Sequence, residues 1–215
     1  LQQRLPVSGS DEISAFSMAF NGLLDSLQSS QKALVQQATH DALTGLINRH
    51  QFEYELEAAL HAVRGDVHSH HLLFLDLDRF KIVNDSCGHM AGDIVLKDLA
   101  DLMRAQLRST DVIGRIGGDE FGVILLDCDP VMARELAGNI REAVSAFRFE
   151  SDGRQFTFGA SIGLVNLNAL GMTTRAAALT IADSACRIAK SAGRNRIHEH
   201  RGQEERLSQQ LQQTL

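Results

Sequence analysis

The sequence is short of several things, and each shortage excludes a class of protein. Only two prolines occur in 215 residues, and no low-complexity tract interrupts the chain. With 44% hydrophobic and 22% charged residues, the composition is that of a folded globular chain rather than a disordered one. Long apolar runs are missing. The longest near-continuous one is Leu72 to Leu77, far below the roughly 18–20 residues of a membrane-spanning helix. No basic leader with an apolar core opens the chain, so nothing reads as a secretory signal. The three cysteines (Cys87, Cys128 and Cys186) lie far apart, with no CxxC spacing, and read as reduced thiols. Positive charge is short as well: 21 Lys and Arg against 27 Asp and Glu give a net charge of −6. Without a basic cluster, no nucleic-acid-binding module is expected. An acidic chain can still hold nucleotides through a metal and a few placed cations. The length allows one domain with an appendage, or two small ones. The start at Leu1 and the helix-like pattern running to Leu215 read as a piece of a longer protein.

What is present divides at about residue 38. Ser8 or Ser10 can cap a first helix, with Asp11 and Glu12 in its first turn. Ile13, Phe16, Phe20, Leu23, Leu27 and Leu34 follow at heptad-like steps. Such a stripe serves either a helix packed on its own domain or a parallel dimer helix; its narrowness and its Ser- and Gln-rich flanks favour the dimer. Beyond it, helices are expected at about Asn48 to Val63, Ile94 to Leu107, Val131 to Phe147 and Thr173 to Lys190. Strands are expected at Leu72 to Leu77, Asp111 to Ile116, Phe121 to Leu126, Phe156 to Val165 and Arg196 to His198. Gly65 to His71, with His68, His70 and His71, reads as a solvated loop. The two strands around Gly117-Gly118 form a hairpin, so the sheet is mixed and the domain α/β or α+β.

Acidic residues stand where a core would not want them. Asp76 and Asp78 end the apolar strand, and a period of two puts both on one face. Asp119 and Glu120 stand at the hairpin tip. If the hairpin lies beside the first strand, these carboxylates converge, and a divalent cation relieves their repulsion. Oxygen-only ligands favour Mg²⁺ or Mn²⁺ over Zn²⁺. Gly117-Gly118 is either a plain tight turn or a place where a ligand approaches the backbone. Lys190 and Arg194 either neutralise a helix C-terminus or clamp phosphates; spacing alone leaves both open.

These segments together resemble one family. Arg115-Ile116-Gly117-Gly118-Asp119-Glu120-Phe121 is similar to the signature of the GGDEF diguanylate cyclases. Asp41-Ala42-Leu43-Thr44-Gly45-Leu46 resembles its opening motif. Asp76 through Asp85, with Gly88-His89 and Gly92-Asp93, resembles its substrate segment, and Ala189-Lys190 through Gly193-Arg194-Asn195 its closing motif. The resemblance implies a palm-like, nucleotidyl-cyclase-type domain over residues 39–200, with a mainly antiparallel five-stranded sheet flanked by helices. It implies condensation of two GTP, one per protomer of a homodimer, into cyclic di-GMP with loss of two pyrophosphates. By the same resemblance Asp76, the Leu77 carbonyl, Asp119 and Glu120 hold two Mg²⁺ or Mn²⁺ ions per site, with Asp119 and Glu120 catalytic. Asn84 and Asp93 read guanine, and His89 lies against substrate. Lys81, Lys190 and Arg194 bind the β- and γ-phosphates. Arg108-Ser109-Thr110-Asp111 matches an RxxD product-inhibition site, the bland alternative being a surface ion pair.

The flanks carry weaker resemblances. Residues 1–38, through Leu5-Pro6-Val7, Asp11-Glu12-Ile13 and Ala19-Phe20-Asn21-Gly22-Leu23-Leu24, resemble the second half of a HAMP signalling module, which implies a membrane-anchored segment upstream and a cytoplasmic catalytic domain. Ile13-Ser14 departs from the usual Ile-Gly there, and Arg187 stands where the family often has Tyr. Residues 201–215 resemble linkers toward an EAL phosphodiesterase domain. The rival function is a catalytically silent module that binds GTP or cyclic di-GMP and regulates an attached domain. Intact Asp119 and Glu120 favour the enzyme.

Overall fold

The computed structural model describes residues 12–62, 69–170 and 173–200. The chain divides into two compact units, Leu1–His40 and Asp41–Leu215. In the first, helix α1 spans Glu12–Thr39. Phe16, Phe20, Leu23, Leu27 and Leu34 along it are 38–67% exposed, as a seam without its partner would be. Expectations on residues 1–11 and 201–215, including most of the HAMP-like opening and the linker, lie outside the described residues.

The second unit is built on strand β1, His71–Asp78, buried along its whole length. A strand covered on both faces must be apolar at consecutive positions, which is why Leu72-Leu73-Phe74-Leu75 does not alternate. The other elements are α2 (Arg49–Ala62), α3 (Phe80–Cys87), α4 (His89–Arg104), β2 (Val112–Gly117), β3 (Glu120–Leu125), α5 (Pro130–Ala146), β4 (Arg148–Ser151), β5 (Arg154–Thr157), β6 (Gly159–Asn166), α6 (Arg175–Ser191) and β7 (Ile197–His200). Five strands form one sheet in the order β2-β3-β1-β6-β7. All pairs are antiparallel except β6 with β7. The fold is therefore the mixed, mainly antiparallel, palm-like sheet that the sequence pointed to.

The two faces of the sheet have separate cores. One packs Leu73, Leu75, Leu77 and Phe121 against α4 and α5. The other packs Leu72, Phe74 and Ile124 against α2 and α6. Two glycine devices let helices close on the second face. Gly114 and Gly122 pair across β2 and β3, and the Phe52 ring of α2 lies on them; a Cβ at Gly114 would stand 2.9 Å from its Cδ2. At Gly163 of β6 a Cβ would run into the α6 backbone, 2.5 Å from the Cys186 nitrogen and overlapping the Ala182 carbonyl.

Three expectations are corrected. The helix expected at Ile94 to Leu107 begins at His89, and a separate α3 precedes it. Gly88, at φ 80°, breaks the two. Only Phe80 and Val83 mark the buried face of α3, too few for a visible period. The strand expected at Phe156 to Val165 is two elements, because β4 and β5 form their own hairpin around Asp152-Gly153. Both turn residues have positive φ (52° and 71°), as a type I′ hairpin turn requires. The histidine segment is no solvated loop at its end: His70 and His71 are 3% and 1% exposed. The Asp127 N–H donates to His70 Nδ1 (3.0 Å), and the His70 N–H donates to the Asn168 side chain (2.8 Å). Burial holds the His71 pKa below its ordinary value, so the ring sits neutral at the head of β1.

Candidate active site

The site forms where β1 and β3 leave the sheet. Their register places Asp76 directly opposite Glu120, so both side chains rise on the face covered by α2 and α6. The Leu77 N–H donates to the Asp119 carbonyl oxygen (3.2 Å), fixing the hairpin tip to the strand end. Asp76 and Glu120 thus stand side by side, and the Asp119 backbone is tied to the same strand end. From α6, Lys190 reaches Asp76 Oδ2 at 2.5 Å. Burial raises the Asp76 carboxyl to about 6, against the pull of Lys190, with the charges of Asp119 and Glu120 adding to the rise. One ammonium does not offset this crowding.

Among the described residues no three His, Cys, Asp or Glu side chains close around one point. The available donors are nevertheless all oxygens, and the Asp76 and Glu120 carboxylates stand opposite each other across β1 and β3. Both features fit a hard divalent cation completed by backbone and substrate oxygens.

Asp78 does not join this group. Its carboxylate, 5% exposed, accepts from the Ser161 hydroxyl at Oδ1 and from the Asn195 N–H at Oδ2, both at 2.8 Å. Asp76 and Asp78 share a face, as the two-residue period implies, but Asp78 is already satisfied. Lys190 and Arg194 also separate. The Arg194 and Gly193 N–H groups close the end of α6 on the Ala189 and Lys190 carbonyls (3.1 and 3.3 Å). The helix end is therefore capped by backbone, while the Lys190 ammonium serves Asp76. Arg194 (φ 62°) lines a cavity of about 260 Å³ with Asp78, Arg79, Phe158, Gly159 and Asn195.

Asn84, His89, Asp93 and Lys81 lie on the α3–α4 corner. Lys81, His89 and Asp93 are exposed and Asn84 half-buried. A Cβ at Gly92 would overlap the Asn84 amide oxygen and stand 3.0 Å from its Cγ, so the glycine is what seats that amide. Among the described residues no hydrogen bond or ion pair joins this corner to Asp76. Arg108 and Asp111 lie at the opposite end of the β2–β3 hairpin from Gly117-Gly118. Arg108 donates from Nε (3.0 Å) and Nη2 (2.7 Å) to the two Asp111 oxygens and again from Nη2 to the Leu126 carbonyl (2.8 Å). The Asp111 side chain is fully covered, and its hydrogen bonds and charge favour the protonated Arg108 against the opposing effect of burial.

Two features of the site went unread in the sequence. Arg115 donates from Nε and Nη2 to the Gly118 carbonyl (3.0 and 2.8 Å) and from Nη1 to Asp41 (3.1 Å). Burial works to raise the Asp41 carboxyl, but hydrogen bonds from Thr44 and Arg115 outweigh it and hold it below 3.8. The opening motif thereby ties down the hairpin tip; the spacing of 74 residues hid the pair. The second is the hairpin's glycines: neither has positive φ, and a Cβ at Gly118 would meet nothing within 4 Å.

A strand-end pair of carboxylates, with a lysine against one of them, thus stands at one end of a mainly antiparallel sheet. The family model for the diguanylate cyclase GGDEF domain matches residues 38–196, and the chain belongs to that family. It is similar to the probable diguanylate cyclase DgcE of Escherichia coli K12, at 45% identity over 166 residues, 77% of this chain and 15% of the relative. It is also similar to the diguanylate cyclase TpbB of Pseudomonas aeruginosa, at 40% identity over 201 residues, 90% of this chain and 46% of the relative. The chain thus spans less than half the length of either. Among solved structures, the GGDEF domain of TpbB aligns with a TM-score of 0.71 at 38% identity, covering 79% of this chain and 99% of that one. The coiled coil and GGDEF domain of DgcB from Caulobacter crescentus, solved with c-di-GMP, shares the fold at a TM-score of 0.77 and 24% identity, covering 88% of this chain and 100% of that one.

Proposed function

We propose that residues 39–200 are a diguanylate cyclase domain that condenses two GTP into cyclic di-GMP and two pyrophosphates. The observation that carries the reading is Asp76 set opposite Glu120, with Asp119 tied to the same strand end and Lys190 against Asp76. Asp76, the Leu77 carbonyl, Asp119 and Glu120 would hold Mg²⁺ or Mn²⁺, two ions per site. Once bound, such ions would neutralise charge on the reacting phosphate and favour ionisation of the attacking hydroxyl.

The chain's own groups do the rest. Asp119 accepts the proton of the 3′-hydroxyl. That oxygen bonds to the α-phosphorus of the other GTP, and the bond to pyrophosphate breaks; a second such exchange closes the ring. Asn84, seated on Gly92, and Asp93 hydrogen-bond the guanine edge, with His89 beside them. An Asp accepts from the ring N–H and the exocyclic amine, which adenine does not offer together. Lys81, Lys190 and Arg194 carry the β- and γ-phosphates.

Each site supplies one GTP, so two copies must face each other. The exposed α1 seam is suited to pairing them, and residues 1–38 would relay a signal from a membrane-anchored segment upstream. Among the described residues no helix is long and apolar enough to cross a membrane. Arg108 and Asp111 would bind product and inhibit, and residues 201–215 would lead toward a further domain such as an EAL phosphodiesterase.

The test is GTP turnover by nucleotide-stripped protein with Mg²⁺ or Mn²⁺, the product identified by chromatography and mass. Cyclic di-GMP is expected, and its formation should vanish in Glu120→Gln. Binding of GTP without product, at concentrations where the protein is dimeric, would replace the enzyme by the regulatory module.

A further inference from the structure

Asp78 is a buried carboxylate without a cationic partner among its hydrogen bonds. Its two acceptors are spent on Ser161 of β6 and on the backbone N–H of Asn195, 117 residues away. Asn195 belongs to a turn that L-residues rarely adopt: Gly193, Arg194 and Asn195 have φ of 118°, 62° and 43°. Non-glycine residues persist in that region only where their surroundings hold them. Asp78 is one holder, through a charge-assisted hydrogen bond to the turn's backbone. Room for it is made by Gly159, paired with Asp78 in the sheet, where a Cβ would stand 2.9 Å from Asp78 Oδ2 and 3.0 Å from the Asn195 Cβ. The Asn195 side chain adds a longer bond to Ser145 (3.3 Å). The residue so held in place beside the cavity is Arg194, with Arg79 on the same cavity.

We propose that Asp78 is a positioning residue: by clasping the backbone of the Gly193–Asn195 turn it presents Arg194 to the terminal phosphates of a bound nucleoside triphosphate. This rests on the reading of Arg194 as a phosphate ligand. Asp78 touches neither phosphate nor metal; it acts through the turn.

The test compares two ligands on the intact chain, 3′-deoxy-GTP, which keeps the triphosphate but cannot condense, and GMP, which lacks the β- and γ-phosphates. Asp78→Asn replaces one acceptor oxygen by a donor. It should weaken 3′-deoxy-GTP about 10-fold and leave GMP within about twofold. Arg194→Ala should do the same, and the double variant should lose little beyond either single change, because both act on one contact. Ser161→Ala, which keeps the Asn195 bond, should move 3′-deoxy-GTP in the same direction by less, and serves where Asp78→Asn folds poorly. If Arg194→Ala leaves 3′-deoxy-GTP unchanged, the phosphate reading of Arg194 is wrong. If Arg194→Ala weakens it while Asp78→Asn and Ser161→Ala do not, the clasp is wrong. Equal weakening of GMP and 3′-deoxy-GTP by Asp78→Asn would reduce Asp78 to a general support of the fold.

Discussion

Asp76 should destabilise the metal-free protein at neutral pH, and replacing it should raise stability. Burial, with Asp119 and Glu120 adding to it, outweighs Lys190 and lifts its carboxyl from 3.8 to about 6. Such a rise places about 3 kcal/mol against the ionised form in the native state. The Lys190 side chain beside it is 34% exposed, so solvent screens the site and about 1–2 kcal/mol is the better expectation. The sign follows from linkage. The native state holds this proton more tightly than the unfolded chain, so the contribution is fully present below pH 3.8 and is lost as pH rises through about 6. Asp76→Asn removes the charge and keeps the shape. Urea unfolding without divalent ions should show the variant more stable by about 1–2 kcal/mol at pH 7.5 and by clearly less at pH 4.5, with unchanged m. GTP turnover should be lost. A variant less stable than wild type at pH 7.5 would mean that the Lys190 ion pair dominates, and the argument from burial and crowding would fail.

Two further changes probe other parts of the fold. Gly163→Ala drives a methyl group into the α6 backbone at Ala182 and Cys186; it should cost about 2–3 kcal/mol in urea unfolding and lower turnover, since α6 carries Lys190. Arg108→Ala uncovers Asp111, whose side chain is fully buried against it; it should cost about 1–2 kcal/mol, relieve inhibition by added cyclic di-GMP and leave initial turnover in place, while unchanged inhibition would remove Arg108 from the regulatory site.

What could be read in the sequence was whatever local periodicity or motif spacing encodes. The unbroken run Leu72 to Leu75 announced a central strand. The Gly117-Gly118 hairpin announced acidic residues that would meet the strand end if the hairpin lay beside it, but the pairing of Asp76 with Glu120 comes only from the sheet register. Two elements are weakly encoded locally: α3 shows only two buried positions, and the β4–β5 hairpin rests on short strands around Asp152-Gly153. The remaining misreadings are tertiary. Asp78 resembles Asp76 in every local respect, yet Ser161 and Asn195, 83 and 117 residues away, claim it. His70 looks like a surface residue because its hydrogen-bond partners, Asp127 and Asn168, arrive from segments far along the chain.

Gly118 has no steric neighbour and no left-handed backbone, and Arg115 holds it by its carbonyl alone. The fold would accept alanine there at little cost. A side chain at this position would therefore be tolerated by folding and felt only by what docks from outside, which makes residue 118 a handle for altering access to the site independently of the stability of the protein.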